Sequence, residues 1–144
     1  MDAVAGLKRE FGDAFLGLLL FGSHARWEEN QRSDVDVLVV FRGLHGLKVR
    51  SKAYEILAEH IRKPLTLVDI DILDFDREDL EVTPLLLNVL YDGIIVYDEA
   101  GILGELKKKV LKLIKKARLK RYRTPDGKYG WVREDGKPIE PVEA

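Results

Sequence analysis

The sequence predicts one α/β domain, and three observations carry that expectation. Apolar runs of strand length alternate with longer stretches whose apolar residues recur at helical spacing. The 144 residues are 46% hydrophobic, enough to fill one core but short for two. Glycine, proline and aspartate punctuate these runs where turns are needed.

Taken in order, residues 3–13 place Val4, Leu7 and Phe11 on one helical stripe. Residues 14–21 are almost continuously apolar, as in a buried strand, and Gly22-Ser23 ends the run. Residues 24–32 are polar and begin with a short predicted helix. A second strand is expected over 34–41, with Val35, Val37 and Val39 on one face and Asp34, Asp36, Leu38 and Val40 on the other. Gly43 and Gly46 bracket a turn before a helix over 47–62, whose stripe is Val49, Ala53, Ile56, Leu57 and Ile61; Pro64 stops it. A third strand follows over 65–73. Thr83-Pro84 opens a helix that runs to Tyr91, and Asp92-Gly93 turns the chain into a fourth strand over 94–97. The longest helix is predicted from Glu99 to about Tyr122, on a seam of Leu103, Leu106, Val110, Leu113 and Ala117. Beyond Thr124-Pro125 the chain is turn-rich, with an edge strand or hairpin over 128–133. The expected division is a core over 1–100 and a C-terminal basic helix and tail over 101–144, packed on or extending from the same domain.

Composition narrows the function classes. With no cysteine, disulfides and thiolate metal sites are excluded. The longest apolar run is too short to span a bilayer as a helix, and the N-terminus alternates apolar and charged residues unlike a signal peptide, so a soluble cytoplasmic protein is expected. Scarce Met, Gln and Asn beside 34% charged residues fit a thermophile's usage. The net charge of −1 hides an asymmetry: residues 1–104 hold 11 basic and 19 acidic groups, and residues 105–144 hold 13 basic and 6 acidic. Two surfaces with different partners follow from that split.

The chemistry concentrates in Gly22-Ser23, ten further residues, then Asp34-Val35-Asp36. Residues i and i+2 of a strand share a face, so Asp34 and Asp36 project side by side. Neighbouring carboxylates repel unless a cation sits between them, and oxygen ligands suit Mg²⁺, which draws the rest of its shell from water and substrate phosphate. Glycine lets backbone amides approach a phosphate closely, Ser23 adds a hydroxyl, and Arg26 stands one helical turn on. A donor-rich turn beside metal-binding carboxylates is what phosphoryl or nucleotidyl transfer requires. Asp69 and Asp71 of the third strand share a face, and periodicity alone does not choose which of them completes a two-metal site.

The segment Gly22-Ser23-His24-Ala25-Arg26, with Ser33-Asp34-Val35-Asp36-Val37-Leu38-Val39, resembles the signature of the minimal nucleotidyltransferase family, within the polymerase β superfamily. The resemblance extends through Val68-Asp69-Ile70 and residues 85–97, covering about residues 10–100. It implies a short mixed sheet with helices packed on one face. It also implies nucleotide contacts at Gly22, Ser23, Arg26 and Ser33, two Mg²⁺ ions held by Asp34, Asp36 and Asp69, and catalytic roles for the same three aspartates, with Asp71 behind Asp69. Trp27 departs from the small residue often found there. The implied reaction moves a nucleoside monophosphate, AMP from ATP, onto an acceptor such as a HEPN-domain toxin. The alternative is an antitoxin subunit acting by contact with a HEPN ribonuclease or RNA, with little transferase activity.

Other features have plainer readings. His24 either touches phosphate or is a surface residue; His45 and His60 read as bystanders. Asp74, Asp76, Glu78 and Asp79 read as a solvated turn, and Trp27 as a core residue more than a base-stacking one. Trp131 and Tyr129 would cover a sheet edge or meet a partner. Ten basic residues between Lys107 and Arg123, without one acidic residue, exceed what solubility needs and suggest partner or RNA contact through helix 107–123. Self-association stays open.

Overall fold

A computed structural model describes residues 2–22, 34–74, 81–82, 84–125, 129–134 and 142–143 of the chain. Helix α1 (Asp2–Phe11) leads through a 3₁₀ turn into β1 (Phe15–Phe21). Then come β2 (Val35–Phe41), α2 (Leu47–His60), β3 (Leu65–Asp71), β4 (Glu81–Val82), α3 (Pro84–Asp92) and β5 (Ile94–Asp98). The chain continues with α4 (Ile102–Lys116), β6 (Leu119–Arg123), β7 (Tyr129–Arg133) and β8 (Val142–Glu143).

The main sheet has the order β3-β2-β1-β5; β1 is antiparallel to both its neighbours, and β2 is parallel to β3. It is the α/β fold with a short mixed sheet that the sequence implies. Helices cover both of its faces, however, and not one. Every residue of β1 except Leu20 is buried, and so are residues 37–41 of β2, so both sides of these two strands carry core. On one side Val37, Val39 and Phe41 meet Ala3 and Leu7 of α1 and Ala53 and Leu57 of α2. On the other, Leu38 and Val40 join a core with Leu87 and Leu90 of α3 and Leu103, Leu106 and Val110 of α4. A strand apolar on both faces needs cover on both, which is what a continuous apolar run encodes.

Helix α4 is the seam helix expected, but shorter. Its first free amides are satisfied by Asp98: Leu103 N donates to Oδ1 at 2.7 Å and Gly104 N to Oδ2 at 3.0 Å. It ends at Lys116, because Arg118 takes a left-handed φ of 52° and reverses the chain into β6. Leu119, Lys120, Arg121, Tyr122 and Arg123 are therefore strand, so the basic segment 107–123 is helix to Lys116 and strand from Leu119. No glycine marks this break, so the helical spacing runs on past it in the sequence.

The β6–β7 hairpin is fastened to α3. Trp131 is 6% exposed and shares the core of α3 and α4. Its indole Nε1 donates to Asn88 Oδ1 at 2.8 Å, and Asn88 Nδ2 donates to the Tyr129 carbonyl at 3.1 Å. Arg121 forms a two-pronged ion pair with Asp92 while its guanidinium lies 3.9 Å from the Tyr129 ring centroid. Tyr91 meets the Trp131 ring edge-on at 5.2 Å. Trp131 thus packs within the chain's own core.

Replacing Trp131 with alanine should lower the unfolding free energy by about 3 kcal/mol, the usual cost of deleting a buried aromatic. Urea denaturation would show one transition moved to lower denaturant. A second, early transition with the main one unmoved would mean that the hairpin is a separate unit.

Candidate functional site

The Gly22 end of β1 and the start of β2 meet because the two strands pair antiparallel, with Phe21 opposite Asp36. Gly22 has φ of +75°, and a Cβ built there would overlap the Asp36 carboxylate. The left-handed turn favours glycine, and its missing side chain leaves room for the carboxylate as it is placed here. Asp36 lies on the same face as Leu38 and Val40 and is half-buried; Asp34, one residue before the strand, is exposed. The two candidate metal ligands and Gly22 therefore converge. Ser23, Arg26 and Ser33, together with His24 and Trp27, lie outside the described residues.

The third strand brings something other than a carboxylate. Because β3 is parallel to β2, its first residues stand beside Asp34 and Asp36: Val35 N donates to the Pro64 carbonyl at 2.8 Å, and Thr66 is in register with Asp36. The Thr66 hydroxyl faces Asp34 Oδ2 at 3.5 Å. Asp69 is in register with Val39. That is three residues beyond Thr66, about 10 Å along the strand, and an odd step turns its side chain to the opposite face. There Arg50 of α2 donates from Nε to Asp69 Oδ1 at 2.5 Å, and the Asp69 side chain is only 5% exposed. The structure does not bring Asp69 to Asp34 and Asp36. The parallel strand direction, invisible in the sequence, decides this. Among the described residues no group of three or more His, Cys, Asp or Glu side chains gathers.

Asp71 is also remote from the pair and performs a structural task. Its Oδ1 accepts from Gly43 N at 2.8 Å and Leu73 N at 3.1 Å, and His45 Nδ1 lies 3.1 Å from Oδ2. Burial pushes its pKa up, but these hydrogen bonds outweigh it and hold the carboxyl below its ordinary value. His45, read from sequence as a bystander, is thus a partner of Asp71. A cleft of about 350 Å³ lined by Lys8, Asp13, Phe15, Tyr97 and Glu99 opens at the other end of β1, away from Gly22.

A mixed sheet whose glycine turn abuts Asp36 at the start of β2, with Asp34 just before that strand, is consistent with a nucleotidyltransferase frame. Residues 13–101 match the polymerase beta nucleotidyltransferase family, and the chain belongs to it. It is 30% identical over 112 residues, 76% of either chain, to a Methanocaldococcus jannaschii protein provisionally named a protein adenylyltransferase. The fold resembles that of a chain in a toxin–antitoxin crystal structure with AMP-PNP, at a TM-score of 0.57 and 17% identity over 79% of this chain and 86% of that one. It also resembles a chain from the complex of a tri-AMPylated Shewanella oneidensis HEPN toxin with its MNT antitoxin, at a TM-score of 0.51 and 17% identity, covering 78% and 82% of the two chains. The protein is a nucleotidyltransferase.

Asp71→Asn should destabilise the fold most above the ordinary carboxylate range. A lowered folded pKa gives stability that is present above the unfolded pKa and is lost as pH falls through the folded value. Thermal melts from neutral to acid pH should show the gap between wild type and variant closing on acidification. A gap constant with pH would mean that the ionised form of Asp71 does not stabilise the fold.

Proposed function

We propose that this chain transfers AMP from ATP to a hydroxyl of a partner protein, in a Mg²⁺-dependent reaction at Asp34 and Asp36. The observation that carries the reading is the convergence of Gly22 with Asp36 at the paired ends of β1 and β2. Two carboxylates side by side, one exposed and one half-buried, form an oxygen donor set that suits a hard divalent cation, and the Thr66 hydroxyl lies beside Asp34. Magnesium, when bound there, supplies charge neutralisation at the triphosphate.

The chain's own residues then position the reactants. Amides of the Gly22-Ser23 turn, with Ser23, Ser33 and Arg26, hold the triphosphate by hydrogen bonding and charge. Asp34 and Asp36 would hold the cation that neutralises the α-phosphate end. The acceptor oxygen forms a bond to the α-phosphorus as the bond from that phosphorus to the β-phosphate's bridging oxygen breaks. Pyrophosphate leaves, and the acceptor's proton passes to solvent. The rate gain comes from orientation and preset charge.

The acceptor class rests on the relatives. One is named for adenylylating protein, and a structural neighbour is a complex containing an AMPylated HEPN toxin. A HEPN-type protein is therefore the acceptor proposed. The basic stretch 107–123, whose Lys108, Lys109, Lys112, Lys115 and Lys116 are exposed, offers this partner a positive surface outside the family-matched region.

Replacing both Asp34 and Asp36 with alanine should abolish label transfer from α-labelled ATP to a HEPN-type acceptor while leaving the thermal melt near that of wild type. Transfer at the wild-type rate by the double variant would overturn the assignment of the site.

A further inference from the structure

We infer that Thr66 is a positioning residue of the transfer site, and that β3 contributes a hydroxyl where a third carboxylate could stand. This rests on the proposed cation site at Asp34 and Asp36 and deepens it.

Three observations converge. In the parallel ladder Thr66 is the β3 residue paired with Asp36, so its side chain shares the face of both aspartates. It is exposed, so no core packing requires a residue there, and its hydroxyl approaches Asp34 Oδ2 at 3.5 Å. The two carboxylates β3 does possess are committed elsewhere: Asp69 to Arg50 on the opposite face, and Asp71 to Gly43, Leu73 and His45. Neither can reach the pair without undoing the strand register.

A hydroxyl donor on an exposed carboxylate fixes which oxygen turns outward, as partners behind metal-binding carboxylates do elsewhere. A carboxylate in its place would add a formal charge to the donor set and tighten cation binding. The centre is accordingly a two-carboxylate site tuned toward weaker cation affinity, with Thr66 orienting Asp34.

Binding of Mn²⁺ alone, followed by the free-ion paramagnetic resonance signal, tests this without reference to turnover. Thr66→Val should weaken binding roughly tenfold, and Thr66→Ser should restore it. Thr66→Asp should tighten it by about tenfold. Asp69→Asn should leave Mn²⁺ affinity as in wild type while lowering the melting temperature, because it breaks the pair with Arg50. If Thr66→Val and Thr66→Asp both bind like wild type, or if Asp69→Asn loses Mn²⁺, the inference is overturned. If wild type and the Asp34/Asp36 double alanine variant bind Mn²⁺ equally, the fault lies with the cation site itself.

Discussion

The antiparallel pairing of β1 with β2 is the constraint on which the rest depends. It sets Phe21 opposite Asp36 and carries Gly22 against the Asp36 carboxylate, so the turn and the strand that define the site are fixed by one ladder. That ladder is itself held by the two cores on either side of β1 and β2. Burial of the strands thus rigidifies the polar end that carries Asp34 and Asp36.

The parallel pairing of β2 with β3 has an equal but opposite consequence. It delivers Thr66 to the aspartates and takes Asp69 and Asp71 to the other face. Both displaced carboxylates acquire structural work there. Asp69 ties α2 to the edge strand through Arg50, and Asp71 closes the turn at Gly43. The direction and register of one strand therefore decide that Asp69 and Asp71 stand apart from Asp34 and Asp36.

Much of this was legible in the sequence because it is local. The apolar run of β1, the alternation of β2, the proline opening α3 and the Leu seam of α4 each follow from the spacing of side chains within one element. The Asp34–Asp36 pair was legible for the same reason, since i and i+2 share a face whatever the partner strand. What the sequence concealed was relational or irregular. Thr66 carries no signal until the register with Asp36 is known. The cover on both faces shows only when the sheet is assembled, although the continuous apolar run of β1 hinted at it. Arg118 in a left-handed conformation ends α4 without the glycine that usually marks such a stop. Trp131, read as a tail residue, proves to be core because α3 and the hairpin meet through Asn88.

Asp34, Asp36 and the Gly22 turn are the proposed cation and nucleotide site, with Asp69 apart from it. Anomalous diffraction from crystals grown with Mn²⁺ and a non-hydrolysable ATP analogue tests it most directly. Anomalous density is expected beside Asp34 and Asp36, on the Thr66 side of the sheet, with the Asp69–Arg50 pair intact. Density coordinated by Asp69, or none beside Asp34 and Asp36 while the nucleotide is bound elsewhere, would contradict it.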